Sequence, residues 1–195
     1  MRLFVALDIG DEIRQRISRY LDGIRGFAPD ARWVRPESLH VTLKFIGEKR
    51  EEDIENINRQ LATIVAPSFA ISFRGYGFFP SERAPRVFWV GIDAPPALSA
   101  LAAAVDESVN ELGVAKEEHA YAPHLTLARG GGGSGSPRRE KGDRPNRSFQ
   151  RLQEKLSALP RPEFGTMTAR EFFLYQSFTS PSGAKYTKLA PFILH

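Results

Sequence analysis

The sequence predicts a mixed fold of strands and helices, built as two similar lobes related by a pseudo-twofold axis. The order strand, helix, strand, helix, strand occurs twice along the 195 residues. The motif His-x-Thr-Leu also occurs twice, at His40 and at His124. In addition, 36 residues separate Phe4 from His40, and 36 residues separate Phe88 from His124. A common register in the two halves is the pattern expected of a duplication.

In the first half, alternating apolar residues predict a strand at 2–8. Isoleucine and leucine at helical spacing predict a helix from 11 to 27, with Asp8 or Asp11 as a candidate cap. The first histidine strand follows, and a second helical stripe covers 51–65. A long alternating strand closes this half at 69–79.

The second half repeats this order of strands and helices and carries an insertion. Its predicted elements are a strand at 87–90, a helix at 95–112, the histidine strand, a helix at 149–159, and strands at 168–178 and 184–194. The step from His40 to Phe73 is 33 residues, whereas the step from His124 to Phe172 is 48. The excess of 15 residues matches a glycine-rich, basic stretch, which predicts a flexible loop at 130–147.

We expect one domain over residues 1–195, with lobes at roughly 1–82 and 83–195. Exchange of strands between the lobes is left open. Between Arg138 and Arg151 six basic residues face two acidic ones, and this local excess equals the net charge of +4 of the whole chain. Any affinity for a polyanion is therefore expected to be local.

The composition is that of an ordinary soluble globular protein, with 42% hydrophobic and 26% charged residues. The chain has no cysteine, which excludes disulfides, thiolate zinc sites and cysteine nucleophiles. No apolar run approaches the length of a membrane span, so we expect a cytoplasmic protein without a membrane partner.

The two His-x-Thr motifs are the candidate chemistry of the chain. Side chains at i and i+2 of a strand share one face, so each histidine lies on the same face as its threonine, Thr42 or Thr126. Two such strands facing each other would place two imidazoles across one small group. Because the ordinary pKa of histidine is about 6.5, this pair suits acid–base catalysis without a metal. The alternative is a pair of strands whose histidines are structural.

The remaining two histidines, His119 and His195, lack a threonine two residues on and form no cluster with metal-ligand spacing. We therefore expect no metal site.

The paired His-x-Thr motifs resemble those of the 2H phosphoesterases, and within them the RNA 2′,3′-cyclic phosphodiesterases, a family once named 2′-5′ RNA ligases. The resemblance covers nearly the whole chain. It rests on the strings His40–Gly47, Phe79-Pro80, Arg86–Trp89 and His124–Arg129, and on Ser177, Gly183 and Tyr186.

The resemblance implies a bilobal α+β fold with antiparallel sheets that frame a central cleft. It also implies metal-independent hydrolysis of RNA 2′,3′-cyclic phosphate ends to 2′-phosphomonoesters, without a cofactor, with His40 as proton donor and His124 as proton acceptor. The implied partner is an RNA end, of which tRNA fragments are one candidate, and no obligate protein partner is implied. A weak reversible 2′-5′ ligation is left open.

Phosphate contacts are expected from the hydroxyls of Thr42 and Thr126 and from Arg129. Strict alternation would place Arg129 on the face opposite His124, so this contact requires the strand to end or to bulge first. Lys44 shares the face of His40 and Thr42 by the same rule, and is a candidate substrate contact.

Other candidate substrate contacts are Phe45 and Tyr186, together with Arg83 and Arg86 in a turn around Pro85. One or two aromatic side chains are expected to stack on a terminal base. They are drawn from Phe45, Phe79, Trp89, Phe172 and Tyr186.

Two alternative functions remain. The first keeps the chemistry and changes the substrate to a small cyclic nucleotide or cyclic ADP-ribose phosphate, against which the basic loop favours RNA. The second is an RNA-end binding module without catalysis, which the two intact motifs disfavour.

Overall fold

The computed structural model describes residues 1–130 and 147–195, in which nine strands and four α-helices follow one another. The predicted α+β class is confirmed. The strands are β1 (Arg2–Asp8), β2 (Arg32–Trp33), β3 (His40–Glu48), β4 (Phe69–Phe79), β5 (Val87–Asp93), β6 (His124–Arg129), β7 (Glu163–Ala169), β8 (Glu171–Ser180) and β9 (Gly183–Ile193). The helices are α1 (Asp11–Ile24), α2 (Ile54–Leu61), α3 (Pro96–Asn110) and α4 (Gln150–Ser157), and short 3-10 helices span Arg25–Phe27, Pro36–Ser38, Glu51–Asp53 and Arg147–Phe149.

Of the loop predicted at 130–147, residues 131–146 lie outside the described residues. Among the helices of the described parts of the chain, none is long and apolar enough to cross a membrane.

The strands form two antiparallel sheets. The first has the order β3-β1-β8-β9, and the second has the order β2-β6-β5-β4-β7. Strand β4, from the first half of the chain, lies in the same sheet as β5 and β6 of the second half. Strand β8, from the second half, pairs with β1 of the first half. The two histidine strands therefore belong to different sheets, and each sheet contains strands from both ends of the chain.

Strand β3 carries a bulge just after its His-x-Thr motif. Ala6 pairs with Thr42 and Val5 pairs with Lys44, so Leu43 is the extra residue between two ladder pairs. Such an insertion reverses which side chains point to which face beyond it.

Strand β6 has the same bulge at the equivalent position. Trp89 pairs with Thr126 and Phe88 pairs with Ala128, which leaves Leu127 as the extra residue. The two motifs are thus alike in pairing as well as in sequence.

This pairing also corrects the sequence register by one residue. Val5, not Phe4, is the counterpart of Phe88, since each pairs with the second residue after a motif threonine. Phe88 lies in the main core, whereas Phe4 lies in a separate aromatic cluster. Because residues 3–7 of β1 are apolar and buried on both faces, alternation cannot mark which of them faces the cleft.

Two further predicted elements differ from the structure. The strand predicted at 168–178 corresponds to β8 (Glu171–Ser180), but its first residues belong to β7, a separate strand in the other sheet that the sequence did not predict. The apolar residues of β7 are Phe164, Met167 and Ala169, which do not alternate regularly, so the sequence does not predict this strand. Helix α2 ends at Leu61 rather than at residue 65, because Thr63, Ile64 and Val65 are β-branched and weak helix formers.

One continuous apolar core joins the two sheets to the helices. Helix α1 contributes Ile13, Ile17, Leu21 and Ile24, and α3 contributes Leu98, Leu101, Val105 and Val109, at the spacing of one helix face. A second, smaller cluster consists of Phe4, Ala6, Phe173 and Tyr175, with Tyr186 packed against it. It lies beside His40 and forms the wall of the cleft on the side of the first sheet.

Lys44 joins β3 to the second half of the chain. Its side chain is only 3% exposed, and its Nζ lies 2.8 Å from the carboxylate of Asp106 on α3. The same Nζ donates hydrogen bonds to Glu117 (2.9 Å) and to the carbonyl of Ala115 (2.7 Å). Burial alone would lower the pKa of Lys44, but these carboxylates outweigh it and hold that pKa above its ordinary value.

We predict that Lys44→Met lowers the free energy of unfolding by about 2 kcal/mol, because it leaves the carboxylate of Asp106 without its cationic partner. The effect is below that of a fully buried pair, since the carboxylate of Glu117 is exposed and stays hydrated. Urea unfolding measures this difference. The control is Lys116→Met, which removes an exposed pair with Glu107 and should leave the midpoint unchanged. Equal midpoints for Lys44→Met and the wild type would contradict a stabilising role.

Candidate active site

His40 begins β3 and is held by its own backbone surroundings. Its Nδ1 lies 2.8 Å from the carbonyl oxygen of Ser38. A carbonyl can only accept a hydrogen bond, so Nδ1 carries the proton and Nε2 is the atom left for chemistry. The ring packs against Phe4, with centroids 4.9 Å apart, and against the edge of Tyr186 at 5.1 Å.

His124 begins β6 and is held in the same way. Its Nδ1 lies 2.8 Å from the carbonyl oxygen of Ala122, again two residues before the histidine. Its ring contacts Phe79 edge-on at 5.0 Å and lies 6.4 Å from Trp89. The indole of Trp89 covers Gly77, where an added Cβ would come 2.1 Å from the indole ring. A glycine is thus required for this aromatic wall.

The structure brings both histidine strands together although they belong to different sheets. Strands β3 and β6 lie against each other. The hydroxyl of Tyr121, just before β6, donates a hydrogen bond of 2.7 Å to the carbonyl of Thr42 in β3. Burial raises the pKa of Tyr121, so this hydroxyl remains a donor at neutral pH.

Both imidazoles favour the neutral form. Burial lowers the pKa of His40, and the charges of Arg129 and His124 lower it further. The bond to the Ser38 carbonyl and the nearby carboxylate of Asp8 oppose this shift.

For His124, burial also lowers the pKa, and the charge of Arg129 adds to this effect. The bond to the Ala122 carbonyl opposes it. The effect of His124 on His40, and the effect of Arg129 on both histidines, indicate a common cleft.

The motif threonines share the faces of their histidines. Thr42 lies opposite the small Ala6, whereas Thr126 lies opposite Trp89. Both threonines are half-buried, so each hydroxyl can reach an anion in the cleft.

Arg129 lies on the cleft face because of the bulge at Leu127, which is the condition that the sequence prediction required. Its charge acts on His40, His124 and the hydroxyl of Tyr186. A guanidinium at this position can pair with the negative oxygens of a phosphate.

The bulge at Leu43 has the opposite consequence for Lys44. The expectation that Lys44 shares the face of His40 and Thr42 is wrong, because alternation is interrupted before it and its Nζ is bound to Asp106. Phe172 is likewise not available for stacking, since it is fully buried against Phe192.

Phe45 occupies the position in β3 that Arg129 occupies in β6. Its ring is 61% exposed and lies 6.1 Å from Phe4. With the half-buried Tyr186, it offers an aromatic surface on the side of His40.

Arg83 and Arg86 are exposed in the loop between β4 and β5. Within the described residues, neither side chain has a hydrogen bond or an ion pair, and only the backbone of Arg86 is tied, to Phe79 and Gly130.

The sequence prediction missed the role of Asp8. Asp8 pairs opposite His40 at the end of β1 and does not cap α1 through its side chain. Its carboxylate bonds to Lys188 and Arg14, at 2.6 Å each. Burial would raise the pKa of Asp8, but these two cations outweigh it and lower that pKa. The only signal in the sequence is an acidic residue that ends an apolar strand.

Arg14 also binds the carbonyls of Pro36 and Ile9, and so fixes the turn that carries Ser38. In residues 1–130 and 147–195, no group of three or more histidine, aspartate or glutamate side chains is arranged to hold a metal ion.

Comparison with known proteins agrees with this geometry. The family model "LigT like Phosphoesterase" matches residues 7–89. RNA 2′,3′-cyclic phosphodiesterase of Archaeoglobus fulgidus is 35% identical over 98% of this chain and 99% of its own length. The protein of the same name from Methanothermobacter thermautotrophicus is 35% identical over 100% and 99%.

Solved structures show the same fold. TT0787 of Thermus thermophilus matches with a TM-score of 0.77 and 28% identity, over 100% of this chain and 98% of that one. LigT of E. coli complexed with 3′-AMP matches with a TM-score of 0.76 and 26% identity, over 99% and 97%. Two sheets that each carry a His-x-Thr strand are the pattern of the 2H class of phosphoesterases. The chain belongs to the LigT-like phosphoesterase family of that class, and the predicted resemblance is confirmed.

Proposed function

We propose that this protein is a hydrolase that opens 2′,3′-cyclic phosphate ends of RNA to 2′-phosphomonoesters, with two histidines and no metal. The observation that carries the proposal is the matched pair of imidazoles, each with Nδ1 bonded to the carbonyl two residues before it. Two neutral imidazoles, whose Nε2 atoms have no hydrogen-bond partner among the described residues, can supply one base and, after protonation, one acid. The names of the relatives support a cyclic phosphate on RNA as the substrate.

In the proposed reaction, Nε2 of His124 takes a proton from water as the water oxygen forms a bond to phosphorus. The bond from phosphorus to the 3′ oxygen breaks, and Nε2–H of His40 gives its proton to that oxygen. The product keeps phosphate on the 2′ oxygen, and the histidines exchange their protonation states. The same steps, with a 5′-hydroxyl in place of water, would join two RNA ends by a 2′-5′ linkage, and their reverse would cleave that linkage.

The charges around the histidines support this division of roles. Asp8 lies opposite His40 in the ladder, whereas the equivalent position opposite His124 is Gly91, which has no side chain. The carboxylate of Asp8 favours the protonated, acid form of His40. The charge of Arg129 favours the neutral form of both histidines, and for His124 no carboxylate among the described residues opposes it.

Negative charge on the phosphoryl oxygens is stabilised by donors from both strands. The hydroxyls of Thr42 and Thr126 and the guanidinium of Arg129 are suitable, because each lies on the face of a histidine. Phe45 and Tyr186 offer a stacking surface for the terminal base.

We predict that His40→Ala and His124→Ala each reduce kcat by at least about 100-fold, because each removes one proton transfer. Turnover of an oligonucleotide with a 2′,3′-cyclic end measures the loss, and fluorescence anisotropy should show that RNA affinity is retained. The control is His195→Ala, an exposed histidine at the end of the chain, which should leave kcat unchanged. Full activity in either motif variant would contradict the acid–base pair and favour a binding module.

We predict that Asp8→Asn shifts the alkaline limb of the kcat/KM profile to lower pH. The carboxylate of Asp8 raises the pKa of His40, so its removal lowers that pKa, and an acid that must be protonated is lost at lower pH. Asp22→Asn removes an exposed carboxylate from α1 and should leave the profile unchanged. If the acidic limb moved instead, His40 would be the base and the two roles would be exchanged.

We predict that EDTA leaves kcat/KM unchanged, since both proton transfers and the charge stabilisation come from side chains of the cleft. Dialysis against EDTA followed by an assay in metal-free buffer tests this. Loss of activity that is restored by a divalent cation would contradict the proposed mechanism.

A further inference from the structure

A pair of arginines lies side by side at the outer end of β6. Arg32 of β2 is paired directly opposite Arg129 of β6. Residues directly opposite each other in an antiparallel pair point to the same face of the sheet. Trp33, the next residue of β2, packs edge-on against Phe88 in the core. Arg32 therefore shares the cleft face with Arg129.

Within the part of the chain that the structure describes, these two charges lack counter-charges. Like charges directly opposite each other in a ladder are destabilising, and within residues 1–130 and 147–195 neither arginine forms an ion pair. The acidic residues nearest Arg32 in the chain, Asp30 and Glu37, form no bond with it. By contrast, six other arginines bind a carboxylate: Arg14, Arg16, Arg25, Arg50, Arg59 and Arg74. An unopposed pair at the rim of a cleft is a suitable site for an anion.

Arg129 lies closer to the two histidines than Arg32 does. The charge of Arg129 acts on both histidines, whereas Arg32 is not among the charges that shift the pKa of either. Arg32 lies one strand farther out, about 4.8 Å across the ladder. An anion at Arg32 is therefore a neighbour of the reacting phosphate and not that phosphate itself.

We propose that Arg32, together with Arg129, binds the phosphodiester that links the terminal nucleoside of the RNA to the preceding nucleotide. This inference rests on the proposed function. An RNA with a 2′,3′-cyclic end has further phosphates only on its 5′ side, so the group beside the reacting phosphate is that diester. The planar fork of arginine fits two phosphate oxygens. A cyclic mononucleotide has no such diester and cannot use Arg32.

The experiment compares Arg32→Gln with the wild type on cytidine 2′,3′-cyclic phosphate and on a dinucleotide that ends in the same cyclic cytidylate. The expected result is a fall of about tenfold in kcat/KM for the dinucleotide, with the mononucleotide unchanged. The dependence of log kcat/KM on log salt should become shallower for the dinucleotide only. The control Arg19→Gln removes an exposed charge from α1 and should change neither substrate.

Binding of product provides a second readout that does not need turnover. The dissociation constant of the dinucleotide with a terminal 2′-phosphate should rise about tenfold in Arg32→Gln, and that of cytidine 2′-phosphate should not. The thermal midpoint should be equal or higher, because a like-charge pair is removed.

If Arg32→Gln lost equal activity on both substrates, or lost none on the dinucleotide, the inference about Arg32 would be overturned. The proposed function would still stand, provided that the wild type hydrolyses the substrates. If the wild type hydrolysed neither substrate, the proposed function would fail, and the two dissociation constants would still decide the role of Arg32.

Discussion

The contact between β3 and β6 is the constraint on which the rest of the site depends. These strands belong to different sheets, so no backbone ladder fixes the distance between His40 and His124. That distance is held by the segment between α3 and β6, which is bonded to β3 at two places. Tyr121 donates to the carbonyl of Thr42, and Lys44 binds Glu117 and the carbonyl of residue 115. The proposed proton transfers, from water and to the leaving oxygen of one phosphate, need this spacing to be set before substrate binds.

The two halves are alike in backbone and differ in charge. Bulges at Leu43 and Leu127 give both strands the same succession of buried and exposed side chains, so each half presents a histidine, a threonine and one further side chain to the cleft. That further side chain is Phe45 in one half and Arg129 in the other. A symmetric backbone thus supplies two equivalent imidazoles, and substitutions at equivalent positions give them unequal surroundings.

The sequence predicts most of the elements and both histidine strands, because periodicity and the repeated motif are local signals. Strand β4 is predicted with its observed bounds, 69–79. The partners of strands are not local, and this is where the prediction ends. Nothing in an apolar run shows that β4 pairs with β5. Likewise, no particular residue type marks the bulge in β3, so strict alternation assigns Lys44 to the wrong face of the strand.

Both histidine strands lie at the edges that the two sheets turn toward each other. Strand β3 is the edge of its sheet, and β6 is covered only at its far end by the two residues of β2. Edge strands leave backbone groups that need partners. Here the carbonyl of Thr42 is satisfied by Tyr121, and that of Leu127 by the amide of Val34 at 2.8 Å. If the two edges paired directly, one sheet would form and the space between the imidazoles would close. Satisfying the edges from neighbouring segments keeps that space open, so the unpaired edges are what makes a site possible.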